Sequence, residues 1–152
     1  MNKKALALGV ASVLTYSIPI MPVKAASNAY TSVSDSNQAR TAGLISRSYI
    51  TASTSSGKLC LSGTTQSNDN VKSIGYTDII IECSSDDVNW HKEKTIDDLI
   101  KSNSSEYRLN NYSISVKGGY YYRVSLNHYA EKGGLFGSSQ SVSNTSNSVW
   151  VD

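Results

Sequence analysis

Residues 118–130 read GGYYYRVSLNHYA, and the alternation inside this stretch decides the fold. Tyr120, Tyr122, Val124 and Leu126 fall on one face of an extended chain; Tyr121, Arg123, Ser125, Asn127 and Tyr129 fall on the other. A period of two marks a half-buried strand, because successive side chains leave the backbone on opposite sides. The first set is apolar enough to form a core face. Two of the three consecutive tyrosines are therefore packing residues. Tyr121 and Tyr129 sit beside Arg123 on a surface where aromatic rings are ordinary, so a ligand platform is the less economical reading.

The same period recurs on both sides of this strand. Leu44, Ile50 and Ala52 lead a first strand that ends in STSSGK, where Gly57 permits a positive φ. LCLSGTTQ follows, with Leu59 and Leu61 on one face and Cys60 on the other. SNDN, residues 67–70, reads as a loop. YTDIIIECS then sets Ile79, Ile81 and Cys83 against Asp78, Ile80 and Glu82. SSDDVNWHKEKTI reads as a hairpin that turns at Asp86–Asp87, with Trp90 opening the next strand. TIDDLIKS is the one stretch capable of a helical turn, and it is too short to be more than a connection. YRLNNYSISVKGG supplies a further strand, and EKGGLFG joins the tyrosine strand to SSQSVSNTSNSVWV. Seven or so strands punctuated in this way predict an all-β domain over residues 44–152, a single two-sheet antiparallel β-sandwich.

The start of the chain speaks to destination. Asn2, Lys3 and Lys4 precede the short apolar run Ala5–Leu14; Pro19 and Pro22 follow, and Val23 and Ala25 occupy the −3 and −1 positions of a cleavage site. This is the anatomy of a secretory signal peptide over residues 1–25, and a run of about 10 apolar residues is half of what a membrane-spanning helix needs. Residues 26–43, rich in Ser, Asn, Thr and Ala, read as a flexible N-terminal extension. Cleavage leaves 127 of the 152 residues, with 11 basic against 12 acidic side chains and a net charge of −1. That balance lacks a nucleic-acid footprint, and the expected localisation is secreted and extracellular, without stable membrane insertion.

Two local motifs resemble known scaffolds. YYRV followed by SL is similar to the tyrosine corner of fibronectin type III and immunoglobulin-like sandwiches; the resemblance implies that the Tyr122 hydroxyl ties the preceding connection to the sandwich. SSDDVNW is similar to the hairpin of such domains in which a Trp, here Trp90, packs on the sheet, although Val88 stands where a Gly is frequent. Taken together, SSGKLCLSG, DIIIECSSDDVNW and GGYYYRVSLNHYAEKGG resemble a domain-of-unknown-function family of small secreted proteins from Gram-positive bacteria. The resemblance spans roughly residues 44–151, implies an immunoglobulin/fibronectin-III-like fold and carries no active site.

Cys60 and Cys83 form an even pair in an exported chain, and a disulfide between them is the natural expectation. Their parities conflict, since Cys60 opposes Leu59 and Leu61 while Cys83 follows Ile79 and Ile81, so such a bridge needs a bulge. Asp69, Asp78, Glu82, Asp86 and Asp87 lack the spacing of a calcium loop and read as turn-forming, soluble acids. His91 and His128 stand 37 residues apart with no metal-ligand spacing, and His128 reads as a strand-end residue. No G-x-S-x-G motif occurs, and the chain is expected to be non-catalytic, with no cofactor and no metal.

Two functional readings follow. In the first the protein is an extracellular binding or adhesion module for a host or cell-wall glycan or protein, with SNDN and EKGGLFG as contacts; Leu135 and Phe136, apolar where a turn expects polar residues, either insert into the partner or fold back to cap the sandwich end. In the alternative it is a self-associating structural surface component that pairs through its polar last strand. A small secreted toxin or bacteriocin is a weaker option, because no strongly cationic amphipathic segment is present. Intact-mass analysis of the exported protein is expected to place its N-terminus within a few residues of Ala26; a mature protein that retains Lys3 and Lys4 would overturn the leader.

Overall fold

The computed structural model describes residues 43–152, so the stretch read as a signal peptide and nearly all of the expected N-terminal extension lie outside the described residues. Seven strands follow in order: β1 (Ile45–Ser55), β2 (Lys58–Ser84), β3 (His91–Ile96), β4 (Leu99–Ile114), β5 (Tyr120–Glu131), β6 (Ser139–Thr145) and β7 (Val149–Val151). The domain is all-β and antiparallel, as alternation predicts. All seven strands belong to one hydrogen-bonded sheet, which curls into a half-barrel.

The spine of that sheet is β2, 27 residues long. Ser56 and Gly57, with φ of 50° and 69°, form the two-residue turn that returns β1 onto the first half of β2. Positive φ at both corners matches the twist of the flanking strands. β3 and β4 run one after the other down the opposite edge, from His91 beside Cys83 to Ile114 beside Leu59. TIDDLIKS makes no helix: Asp97 and Asp98 only interrupt this edge between β3 and β4. The second half of β2 takes β5 as its neighbour, from Ser73 beside Glu131 to Ser84 beside Tyr121. β6 and β7 then cover the far edge of β5.

SNDN does not separate two strands. Gln66 pairs with Glu106 and Val71 with Ser104, so β2 spends four residues, Ser67 still buried beside Ile45, where β4 crosses the gap with one. Asn68, Asp69 and Asn70 are exposed, and the strand bends there. A bulge of this kind bends a strand without ending its ladder. The bend folds the two halves of β2 over a shared core, in which Leu59 and Leu61 join Tyr76, Ile79 and Ile81. Tyr122, Val124 and Leu126 enter the same core from β5. A smaller cluster of Ile45, Val71, Ile74 and Ala130 lies toward the bend.

Side-chain amides close the curl. The Asn147 amide donates to the Ala52 carbonyl and accepts from the Ala52 N–H, both at 2.9 Å. Gln140 Oε1 accepts from the Ile45 N–H at 2.9 Å. Three backbone groups of β1, the Ile45 N–H and the N–H and carbonyl of Ala52, are thus satisfied by side chains flanking and within β6.

Two buried polar side chains define the interior. The Tyr122 hydroxyl donates to the Lys117 carbonyl at 2.8 Å and so fastens the connection that precedes β5. His128 is not a strand-end residue but lies within β5, paired with Tyr76 and fully buried. Thr65 Oγ1 donates to the Gly75 carbonyl and meets His128 Nδ1 at 2.7 Å, which places the ring proton on Nδ1. Nε2 has no partner among the described residues. Burial pushes the His128 pKa down from 6.5 to about 4.

Tyr122→Phe removes one hydrogen bond and retains the ring, so the chemical denaturation midpoint is expected to fall by the equivalent of about 1 kcal/mol with the sheet intact. Equal midpoints would dismiss the corner as a stabilising contact. For His128 the folded pKa lies below the unfolded one, so the unfolded chain takes up the proton first as pH falls. Stability is fully present above about 6.5 and drains toward pH 4, by roughly 2 to 3 kcal/mol. Denaturation at pH 7.5 and 4.5 should reveal this loss in the native protein and a much smaller one in His128→Asn.

Candidate functional site

The hairpin between β5 and β6 builds an apolar tip. Its ladder ends where Glu131 pairs with Ser139, and the Lys132 N–H then donates to the Ser138 carbonyl at 2.8 Å. Beyond this the Gly137 N–H donates to the Gly134 carbonyl at 3.1 Å, closing a four-residue turn with Leu135 and Phe136 at its two corners. Gly134 holds a φ of 105°, which side chains rarely tolerate, and a Cβ at Gly137 would lie 2.7 Å from the Lys132 carbonyl oxygen. The glycines therefore fix the turn, and the turn fixes the corners. Leu135 is 93% exposed and Phe136 92%. Corners of a turn ordinarily carry Gly, Pro, Asn, Asp or Ser, which suit its backbone angles or hydrogen-bond to its backbone.

A polar cavity of about 410 Å³ opens at the base of the tip. Lys72, Tyr129, Glu131 and Lys132 line it together with the loop glycines, Ser138 and Ser139. Lys72 reaches this place because Ser73 of β2 pairs with Glu131. The Lys72 ammonium donates to Glu131 at 2.8 Å, which holds the carboxyl below its usual range and the ammonium above its own. Lys132 makes no ion pair among the described residues, so the cavity carries one uncompensated positive charge.

A second cluster surrounds Cys83. Its Sγ lies 3.0 Å from His91 Nε2 and 3.5 Å from Glu93 Oε2. The cause is a bulge: Ile81 pairs with Lys94 and Glu82 with Lys92, which leaves Glu93 unpaired and free to turn toward the thiol. Burial, with Glu93 adding to it, pushes the Cys83 thiol up, the reverse of what an activated thiolate needs. Two ligands of one tetrahedral zinc would sit about 3.5 Å apart, and the direct thiol–imidazole contact is shorter than that. Among the described residues no group of His, Cys, Asp or Glu is arranged to hold a metal ion.

The expected disulfide is corrected here. Cys60 and Cys83 are both free and buried. They occupy opposite ends of one strand, β2, where Cys60 lies between Ser53 and Ser113 and Cys83 between His91 and Tyr122. Trp90 packs on the outer face of the sheet, its ring 4.3 Å from the Arg123 guanidinium, and Arg123 in turn bonds Glu82 at 2.9 Å. The loop acids work locally. Asp86 accepts from the Val88 and Asn89 N–H groups and from Ser84, and these bonds hold its carboxyl far below the usual range. Asp78 accepts from Asn127 at 2.8 Å.

Of the residues singled out in the sequence, Leu135 and Phe136 share one turn; Cys83 and Tyr122 are cross-strand partners with Trp90 near them on the outer face, and Cys60 stands apart at the other end of β2. Lys132 lies within the EKGGLFG stretch singled out as a contact, whereas Lys72 gave no sequence signal; only the pairing of Ser73 with Glu131 brings Lys72 to the tip. The Cys83–His91–Glu93 contact was within reach of the hairpin turn at Asp86–Asp87, which sets residues 83 and 91 opposite one another. Set against known proteins, the chain matches no family model, no curated protein and no solved structure.

Proposed function

We propose that the protein is a secreted, non-catalytic binding module that contacts its partner through the β5–β6 turn. One observation carries this reading: Leu135 and Phe136 stand side by side, almost wholly exposed, on a turn held by glycines. Leaving a large apolar side chain in water forgoes about 1.5–3 kcal/mol of burial, and a monomer gains nothing from doing so twice at one apex. The curled sheet is then the rigid mount and the turn its working end, a common division of labour in β scaffolds. Kinship with secreted immunoglobulin/fibronectin-III-like sandwiches belongs to the same proposal; the Tyr122–Lys117 hydrogen bond supports it, and an experimental structure resolving one sheet or two tests it. Self-association through the polar last strand has less support, because Gln140 and Asn147 already engage the edge of β1.

The double change Leu135→Ser, Phe136→Ser tests the working end. Both side chains are exposed, so the melting temperature should hold within about a degree or two. Attachment of the purified protein to cells or cell-wall material should be lost. A variant that attaches as well as the native protein would dismiss the turn as the contact.

A further inference from the structure

We infer that the partner of the β5–β6 turn is an anionic phospholipid bilayer, with Leu135 and Phe136 inserted at the interface and a headgroup phosphate held over the Lys72–Lys132 cavity. This rests on the reading of the turn as a contact site and names what it contacts.

Area argues for a lipid over a protein. A Leu–Phe apex flanked by glycines can bury roughly 300–400 Å², whereas a specific protein interface takes about 800 Å² per partner and a polar rim. At the apex itself Gly133, Gly134 and Gly137 offer no side chains to pair with a protein's polar groups, and the polar residues lie only at its base. A fluid apolar phase demands neither area nor complementary shape.

Charge and depth agree with a bilayer. Two apolar side chains give marginal membrane affinity, and durable docking takes a second signal, commonly a cation at headgroup level. Lys132 is that cation, unpaired and set back from the apex by Gly133 and Gly134. Two residues span at most about 7 Å, within the roughly 5–10 Å to which interfacial side chains sink below the headgroups. Lys72, exposed and shared with Glu131, adds donors from the other wall of the cavity. Such docking is peripheral and reversible, screened by salt, and consistent with export as a soluble chain.

The test uses the mature protein and sedimented vesicles, of phosphatidylcholine alone or with a third phosphatidylglycerol. Binding is expected to the anionic vesicles and to weaken with salt. Leu135→Ser, Phe136→Ser should lower it roughly tenfold or more, and Lys132→Gln roughly fivefold on anionic vesicles with little change on zwitterionic ones. The fluorescence of Phe136→Trp should shift to the blue only when anionic vesicles are present. Soluble glycerol phosphate at equal phosphate concentration should neither bind nor compete; if it does so as well as the vesicles, the cavity is a site for free phosphate and the bilayer is overturned. Absence of vesicle binding, with cell attachment still lost in the double-serine variant, would overturn the lipid and leave the turn as a contact for a protein or glycan. Absence of vesicle binding with attachment intact in that variant would overturn both.

Discussion

The backbone ladder of β2 is the constraint on which everything else depends. Along its 27 residues it must find donors and acceptors on both edges, and it uses β1, β3, β4 and β5 to do so. Every strand of the domain lies beside β2 or beside β5. A straight strand of that length would be roughly 90 Å long and could bury neither face. The exposed excursion at Asn68–Asn70 relieves this by bending the strand, and a second irregularity at Asp78, with φ of 51°, adds a bulge against β5. The core is what the bend encloses.

Alternation made most of this legible. Tyr122, Val124, Leu126, Ile79, Ile81, Leu59 and Leu61 all point inward as their parity requires, because period two is a local property of extended backbone. The continuity of β2 was not legible. A run of Ser, Asn, Asp and Asn carries the chemistry of a loop, and whether it ends a strand or merely bends one is decided by the neighbours that keep pairing past it. The disulfide failed for the same reason: it presumed two facing strands where there is one, with a thiol near each end. His128 misled because a polar residue late in a strand looks like an exit to solvent, whereas β6 extends over it through Val142.

The β5–β6 turn was half visible. GGLFG announces itself as an anomaly, since apolar residues between glycines have nothing nearby in sequence to pack on. Its electrostatic surroundings were hidden, because Lys72 arrives from a strand 59 residues before Glu131. Local chemistry shows in a sequence as composition, while chemistry assembled across a sheet shows only once register is known. The Cys83 cluster is a sharper case, where a single inserted residue turns Glu93 from an outward acid into a neighbour of the thiol.

The way the curl is closed has a consequence for how the protein ages. Asn147 holds β1 with one donor and one acceptor on the same amide, both spent on Ala52. Hydrolysis of that amide to a carboxylate, a known weakness of Asn in heat and over time, would replace the donor with a charged oxygen aimed at a carbonyl oxygen. Attraction would become repulsion at one point on the seam, while the ladder between β1 and β2 stayed whole. Damage of this sort would loosen the seam at Ala52 before any strand unpaired, leaving Gln140 to hold β1 at Ile45. The ageing of the seam therefore starts at one side chain outside the β5–β6 turn.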